Sequence, residues 1–161
     1  FLAINKMAEK YDMPILYSCH PRSRNRLAAS GFQLDPRVIQ HEPLGFHDYN
    51  CLQMNAFAVV SDSGTLPEES SFFTSVGHPF PAICIRTSTE RPEAIDKGDF
   101  IIAGIDEKSL LQAVDTAVEL CRDGQHGIPV PDYVDENVST KVVKIVQSYV
   151  GIVNKMVWRK Y

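Results

Sequence analysis

The sequence predicts an α/β fold in which parallel strands form a layered sheet that helices cover. Short apolar segments alternate with helical patterns along most of the 161 residues, and this alternation is typical of parallel sheets. The segment 56–60 is apolar at every position, as expected for a strand covered on both faces. An apolar fraction of 44% is enough for a hydrophobic core in a chain about the size of one domain.

The first four predicted elements lie between residues 1 and 40. Residues 1–11 are predicted as the end of a helix, because their apolar side chains share roughly one face. Residues 13–18 are predicted as a short apolar strand. Residues 22–30 are predicted as a polar helix that ends at Gly31, since glycine favours the left-handed conformation of a helix end. Residues 38–40 are predicted as a brief strand.

The middle of the chain repeats this alternation. A helix at 46–55 leads into the strand at 56–60, and a helix at 66–75 follows. Further short strands are predicted at 81–85 and 100–103. Because ligands of parallel α/β sheets bind beyond the carboxyl ends of the strands, we expect the turn after the strand at 56–60 to lie at a binding edge.

The last elements are two helices separated by a loop rich in Gly and Pro at 124–131. Asp106 is predicted to cap the first helix, whose apolar residues follow helical spacing and which Gly124 ends. The second is a long helix at 136–160 with one apolar side. That side comprises Val142, Val146, Tyr149, Val153, Met156 and Val157. We therefore expect a domain at 1–135 and a C-terminal helix at 136–161.

Composition excludes several classes of function. A net charge of -4 argues against a nucleic-acid partner, and no apolar run approaches the length of a membrane span. The four cysteines form no CxxC pair and are expected to be buried, reduced thiols of a cytosolic protein, without a metal site. They are Cys19, Cys51, Cys84 and Cys121. No GxGxxG, Walker lysine or GxSxG motif occurs, so nicotinamide and ATP chemistry have no support and no cofactor is expected.

A turn between the strand at 56–60 and the helix at 66–75 has the pattern of an anion site. Ser63, Gly64 and Thr65 offer backbone N–H groups and hydroxyls at a helix start, where the helix dipole favours negative charge. Glu69, one turn into the helix, could accept two ribose hydroxyls. The alternative is a plain capping turn, and spacing alone leaves both interpretations open.

Other candidate residues also have two interpretations. Arg91, on a turn stiffened by proline, could clamp a phosphate or form a surface ion pair of little energetic value. His20 and Arg22 follow a strand end and could contact substrate or lie on a solvated helix face. Tyr49 could stack on a base or anchor its helix by apolar packing. Local sequence does not decide between these alternatives.

Four segments together resemble the non-hydrolysing UDP-N-acetylglucosamine 2-epimerase family. They are YSCHP at 17–21, PLGF at 43–46, DSGTLPEE at 62–69 and TERPE at 89–93. The resemblance covers nearly the whole chain and implies the second of two Rossmann-like domains in a GT-B arrangement. Its doubly wound parallel sheet would lack the first strand. We expect that strand to come from elsewhere in the protein or from a swapped neighbour, and a continuous sheet built from this chain alone would contradict this.

The resemblance also implies a UDP site at Leu44, Tyr49, Ser63, Gly64, Thr65, Glu69 and Arg91. Residues 63–65 would hold the diphosphate, with Arg91 approaching the phosphates, and Glu69 would hold the ribose. Tyr49 would pack on uracil, and the backbone at Leu44 would read the edge of the base. His20 and Arg22 would be possible contacts of the substrate or of an effector.

The implied reaction is epimerisation at C2 of a UDP-linked N-acetyl sugar by elimination and re-addition of UDP. The family's acid and base carboxylates lie in the first domain, so we expect no catalytic residue in this chain and no activity of the chain alone. Its expected partners are a UDP-sugar, that first domain and a second copy in a homodimer, in the bacterial cytoplasm. The residues themselves give no direct indication of oligomeric state.

Three departures from the family pattern indicate the substrate. Thr65 replaces the commoner glycine, Glu69 is followed by Ser70 and Ser71, and the segment 70–80 is long. These traits, together with the C-terminal segments 137–141 and 157–161, resemble the bacterial branch that converts UDP-2-acetamido-2,6-dideoxy-L-talose to UDP-N-acetyl-L-fucosamine for capsule or O-antigen. A UDP-GlcNAc/UDP-ManNAc 2-epimerase is the alternative, and the nucleotide-binding domain of a GT-B glycosyltransferase is a weaker one.

Overall fold

The computed structural model describes residues 1–160, which form helices and parallel strands as predicted. The helices are α1 Leu2–Tyr11, α2 Pro21–Ser30, α3 Phe46–Met54, α4 Leu66–Ser75, α5 Pro92–Asp96, α6 Glu107–Arg122 and α7 Val138–Met156. The strands are β1 Ile15–Ser18, β2 Val38–His41, β3 Val59–Ser61, β4 Ala82–Cys84 and β5 Ile101–Ile102. A short 3-10 turn covers Pro131–Tyr133.

The described strands form two separate parallel sheets. β1 pairs with β2, with Ile15 opposite Val38. In the other sheet the order is β3-β4-β5, with Val59 opposite Ala82. The continuous sheet that would have contradicted the expectation of an external strand is therefore not formed by residues 1–160. The origin of such a strand stays a prediction.

One hydrophobic core lies against both sheets. Its centre is formed by Ile83 of β4 and Val114 of α6, which are 0% and 2% exposed. Ile15 of β1 and Val60 of β3 both pack against this cluster, so the two sheets share it. Asp106 caps α6 as predicted, because its carboxylate accepts a hydrogen bond of 3.0 Å from the Ser109 backbone N–H.

Two predicted elements differ clearly from the structure, and one helix was not predicted. β3 begins at Val59 and its residues are half-buried, whereas a fully buried strand was expected from residue 56. The reason is a turn at the end of α3, in which the Ala56 N–H donates to the Gln53 carbonyl. Helix α5 was not predicted; it follows Arg91 and begins with proline. Helix α7 is shorter than the predicted 136–160, since it starts only after Asn137, whose φ is 55°.

The chain divides into two compact units, Phe1–Val130 and a second unit that begins at Pro131. The second unit contains α7, in which no residue from Val138 to Met156 is buried. The predicted apolar stripe is therefore present in the helix without being buried. Among residues 1–160, no helix has both the length and the apolar character that crossing a bilayer requires.

The four cysteines are free thiols, but their environments differ. Cys19 and Cys84 are buried, and Cys121 is half-buried. Cys51 is exposed, so the expectation that it is buried was wrong. Its position explains this: it lies on α3 only two residues before the buried Gln53 and so points to a different side of the helix.

The inner side of α4 is held by two buried serines. The Ser70 hydroxyl donates to the Asp99 carbonyl at 2.7 Å. The Val130 backbone N–H donates to the Ser71 hydroxyl, also at 2.7 Å. These two serines are among the traits that depart from the family pattern, and in this structure they join α4 to the turn after α5 and to the loop after α6.

Candidate functional site

The turn between β3 and α4 is ordered by its own side chains. The Ser63 N–H donates to the Ser61 hydroxyl at 3.0 Å, and the Thr65 N–H donates to the Ser63 hydroxyl at 3.3 Å. Thr65 occupies the N-cap position of α4 but makes no side-chain cap hydrogen bond. The Thr65 side chain therefore does not cap α4, although the Ser61 and Ser63 hydroxyls accept two N–H groups of the turn, and the anion site at this helix start stays a prediction.

A chain of hydrogen bonds runs from this turn into the neighbouring helix. The Ser63 and Thr65 hydroxyls are 2.9 Å apart, and Thr65 donates to Glu69 Oε1 at 2.6 Å. The other carboxylate oxygen, Glu69 Oε2, accepts a bond of 2.6 Å from Gln53 Nε2. Gln53 Nε2 also donates to the Tyr49 hydroxyl at 3.1 Å. We call these five residues the carboxyl-end network.

The network brings together four predicted residues and one that sequence reasoning missed. The predicted residues are Tyr49, Ser63, Thr65 and Glu69, from three separate segments of the chain. Gln53 was not predicted, although it lies four residues after Tyr49 on the same helix. Side chains at that spacing share a helix face, so this signal was available in the sequence.

Tyr49 is half-buried beside the carboxylate of the network. Burial and, to a lesser extent, the negative charge of Glu69 raise the pKa of the Tyr49 hydroxyl. The phenol therefore stays protonated at neutral pH. A neutral aromatic ring next to a fixed carboxylate offers one surface for apolar stacking and one acceptor for hydroxyl groups.

Arg91 lies next to this network through an ion pair. Its Nε donates to Glu68 Oε1 at 2.6 Å, and Glu68 directly precedes Glu69. The two side chains are 36% and 33% exposed, so solvent screens the pair and its net contribution to stability is small. The predicted surface ion pair is thus present, and its partial exposure leaves the guanidinium accessible to a competing anion.

Arg86 is a second arginine at the turn, and sequence reasoning did not single it out. It follows β4, and its guanidinium pairs with both carboxylate oxygens of Glu90, at 2.8 and 3.0 Å. A Cβ atom built at Gly64 would be 3.7 Å from Arg86 Nη1. The sequence offers only one indication of this role for Arg86, which is its position directly after a strand. In the structure the Ile85 N–H donates to the Ser61 carbonyl, and this bond aligns the ends of β3 and β4.

His20 and Arg22 lie beyond the carboxyl end of β1. Both are exposed, and His20 caps α2, its Nδ1 accepting from the Arg22 N–H at 3.3 Å. Among the described residues, no hydrogen bond joins either of them to the carboxyl-end network. The pKa of Tyr17 in β1 is raised mainly by burial, with a smaller contribution from the Asp62 charge.

A groove of about 480 Å³ lies between α3 and α4. Its walls include Phe46, Met54, Phe72 and both Glu68 and Glu69. Apolar walls with a few polar groups at one side are typical of small-molecule sites.

Leu44, predicted to read a base edge, is exposed just before α3. Within residues 1–160, no cluster of three His, Cys, Asp or Glu side chains could hold a metal ion.

Comparison with known proteins identifies relatives over most of the chain. The sequence model of the UDP-N-acetylglucosamine 2-epimerase family matches residues 1–147. The UDP-N-acetylglucosamine 2-epimerase of Methanococcus maripaludis is 31% identical over 118 residues, which cover 70% of this chain and 31% of the relative. That of Bacillus subtilis is 32% identical over 114 residues, covering 70% of this chain and 29% of the relative. The chain thus spans about a third of the length of these relatives.

Solved structures show the same fold. A UDP-N-acetylglucosamine 2-epimerase from Rickettsia bellii is 36% identical with a TM-score of 0.85, over 99% of this chain and 43% of its own. The Methanocaldococcus jannaschii UDP-GlcNAc 2-epimerase, solved in complex with UDP-GlcNAc and UDP, is 25% identical with a TM-score of 0.76. That match covers 91% of this chain and 39% of the other. The predicted α/β fold of the GT-B type is confirmed, and the chain belongs to the UDP-N-acetylglucosamine 2-epimerase family.

Proposed function

We propose that this chain provides the UDP-binding part of a UDP-N-acetylhexosamine 2-epimerase. The main observation is the carboxyl-end network, which joins Tyr49, Glu69 and Thr65 beside the start of α4. A base-stacking ring, a ribose acceptor and a phosphate-binding turn are the three groups that a uridine diphosphate requires. Their connection by hydrogen bonds supports one continuous ligand site.

In this proposal each part of UDP has its own contacts. The diphosphate lies at residues 63–65 and is approached by Arg91, which would exchange Glu68 for a phosphate oxygen. The ribose hydroxyls donate to Glu69. Uracil stacks on Tyr49, and the backbone at Leu44 bonds the edge of the base. The exposed or half-buried state of these residues supports access by a ligand.

The proposed reaction changes the configuration at C2 of the sugar. Neither ring carbon next to C2 is a carbonyl, so the proton on C2 is not acidic enough for simple exchange with a base. A base removes this proton and the electrons of the C2–H bond form a C1=C2 double bond, while the bond between C1 and the UDP oxygen breaks and its electrons leave with UDP. UDP then re-adds to C1 and a proton reaches the opposite face of C2. The chain's own part is to stabilise the departing diphosphate, through the start of α4 and Arg91.

The proton transfers need an acid and a base; the resemblance implies carboxylates of the first domain for these roles, and we assign none of them to residues 1–161. Glu69 is proposed to hold ribose, and Glu68 pairs with Arg91. We therefore expect these 161 residues alone to bind UDP without epimerising a UDP-sugar. Measurable epimerisation by residues 1–161 alone would contradict this division of roles.

Two substrates are candidates. Thr65 and the pair Ser70 and Ser71 favour UDP-2-acetamido-2,6-dideoxy-L-talose, with UDP-N-acetyl-L-fucosamine as product. The names of the relatives from M. maripaludis and B. subtilis favour UDP-GlcNAc, with UDP-ManNAc as product. A glycosyltransferase is disfavoured by the family match over residues 1–147.

One assay tests the reaction and the substrate together. The protein that contains this chain is incubated in D₂O with each UDP-sugar in turn, and the products are followed by NMR. We expect deuterium at C2 and the C2 epimer, with faster turnover of the true substrate. Sugar transfer to an acceptor without exchange at C2 would instead indicate a glycosyltransferase.

A further inference from the structure

We infer that Gln53 is a positioning residue, which orients the Glu69 carboxylate for the ribose and connects it to the base-stacking Tyr49. The inference rests on the proposed UDP function. Gln53 is only 3% exposed on α3. Its side-chain nitrogen has two N–H groups, and the structure directs one to Glu69 Oε2 and the other to the Tyr49 hydroxyl.

The burial of Gln53 is difficult to explain by packing alone. Burying an amide costs free energy unless hydrogen bonds compensate for lost water. The Oε1 of Gln53 accepts no hydrogen bond from the described residues, so the amide is compensated only through its two N–H groups. An apolar side chain of similar size would fill the same space without this cost. What the glutamine adds is therefore the direction in which its nitrogen donates.

Glu69 is the residue that this donation orients. Each of its carboxylate oxygens accepts one described bond of 2.6 Å, Oε1 from Thr65 and Oε2 from Gln53. A carboxylate oxygen has two acceptor sites, so each keeps capacity for one further donor. Two adjacent ribose hydroxyls supply two donors. Because Thr65 and Gln53 restrict the rotamers of Glu69 beforehand, binding loses less side-chain entropy.

The two donors come from different elements of the fold. Thr65 lies at the start of α4 and donates to Glu69 through its hydroxyl. Gln53 lies on α3, one helical turn after Tyr49. The orientation of Glu69 is thus set jointly by the phosphate-binding turn and by the base-binding helix, and we expect the affinity for the ribose to depend on both.

The test compares UDP with 2′,3′-dideoxy-UDP, which lacks both ribose hydroxyls, by calorimetric titration of the protein. The variant Gln53→Met keeps the length and removes the donor, and Gln112→Met on the exposed side of α6 is the matched control. We expect Gln53→Met to weaken UDP binding about tenfold and dideoxy-UDP binding by less than about twofold, since one bond to a charged group is lost. The control should change neither.

A second comparison distinguishes positioning from a general structural role. In a Glu69→Ala background, Gln53→Met should cause no further loss of UDP affinity, because Gln53 acts through Glu69. An unchanged ratio of the two ligand affinities in Gln53→Met, or an equal further loss in the Glu69→Ala background, would contradict the inference. If the unsubstituted protein binds no UDP, the proposed function itself fails and the inference fails with it.

A variant at the exposed end of the network covers the case in which Gln53→Met does not fold. Thr65→Val removes the other donor to Glu69 at an exposed position and keeps the side-chain shape. Because Thr65 also lies in the proposed diphosphate turn, this variant is expected to weaken both ligands somewhat and to weaken UDP more than dideoxy-UDP. Equal weakening of both ligands by Thr65→Val would overturn the idea that the donors orient the ribose acceptor.

Discussion

The polar side chains of the first unit form networks at both ends of its strands, and the two networks differ in how completely they are closed. The amino-end network precedes β1 and β2 and comprises Asn5, Asp12, Asp35 and Arg37. Arg37 Nε and Nη2 donate to the two oxygens of Asp35, both at 2.8 Å, and Nη1 donates to Asp12 at 2.6 Å. The Asp35 N–H donates to the Asn5 side chain at 2.8 Å.

At the carboxyl end of β3 the carboxylate keeps more acceptor capacity, since Glu69 accepts one described bond at each oxygen. Exposure does not separate the two networks, because the Arg91 and Arg37 side chains are 36% and 35% exposed. In the amino-end network the Asp35 carboxylate accepts three bonds from Arg37 alone, including one from its backbone N–H. We infer that the first network stabilises the fold and that the second keeps acceptors available for a ligand, as expected of the carboxyl edge in parallel sheets.

Removal of the Glu69 carboxylate should have the largest effect. Glu69→Ala is expected to weaken UDP binding by about 30- to 100-fold, since bonds from hydroxyls to a charged acceptor are lost. The free energy of unfolding should fall by no more than about 1–3 kcal/mol, because one N–H of the buried Gln53 loses its acceptor while the other keeps the Tyr49 hydroxyl. Calorimetry and urea denaturation measure both quantities, with Glu119→Ala on exposed α6 as control. If the variant lost more free energy of unfolding than free energy of UDP binding, Glu69 would belong to the residues that stabilise the fold and not to the ligand site.

Arg91 should matter less and only for the phosphates. Arg91→Met is expected to weaken UDP binding about tenfold through loss of one charge-assisted contact, and to leave the affinity for uridine unchanged. Arg122→Met, on the exposed last turn of α6, is the control. Equal weakening of UDP and uridine would mean that Arg91 shapes the site without contacting phosphate.

Changes in the amino-end network should lower the stability of the fold and leave UDP binding unchanged. Hydrogen bonds from Arg37 lower the pKa of Asp35 from 3.8 to about 2. Because the folded pKa is depressed, Asp35 contributes stability above pH 3.8, and the contribution is lost as the pH falls toward 2. Asp35→Asn should therefore lower the urea midpoint at pH 7, lower it less at pH 2, and leave UDP affinity unchanged. A weaker affinity in this variant would show that the two networks are coupled.

The smallest effect is expected at the rim of β1. His20→Ala should change UDP affinity by less than about twofold, the range of an exposed residue outside the network. Titration with UDP and with each UDP-sugar provides the measurement. A larger loss for UDP would place His20 in the UDP site, whereas a loss confined to one UDP-sugar would place it at the sugar.

The local features of this fold could be predicted from the sequence. Helix α4 has the predicted bounds, Leu66–Ser75, and α2 ends at the predicted Gly31, whose φ is 64°. Asp106 caps α6 as expected. These features depend on residues a few positions apart, so propensity, capping and periodicity describe them well.

The missed features depend on contacts between distant segments. Gln53 reaches Glu69 across 16 positions, and Arg86 reaches the turn at Gly64 from the next strand. The spacing of Gln53 and Tyr49 shows that they share a helix face, but the contact with Glu69 depends on how α3 and α4 pack, and the contact of Arg86 depends on the pairing of β3 and β4. The start of β3 was also misplaced, since a turn bond from Ala56 competes with strand pairing.

Four consecutive residues of α4 make contacts on two sides of the helix. Glu68 and Glu69 face Arg91 and Gln53, while Ser70 and Ser71 are fixed to Asp99 and Val130 on the inner side. Rotation of α4 about its axis would break both serine bonds at once. The two carboxylates therefore keep a constant separation and height above the sheet. We therefore expect the proposed site to select ligands by size, because it could not widen for a bulkier group without breaking the two serine bonds.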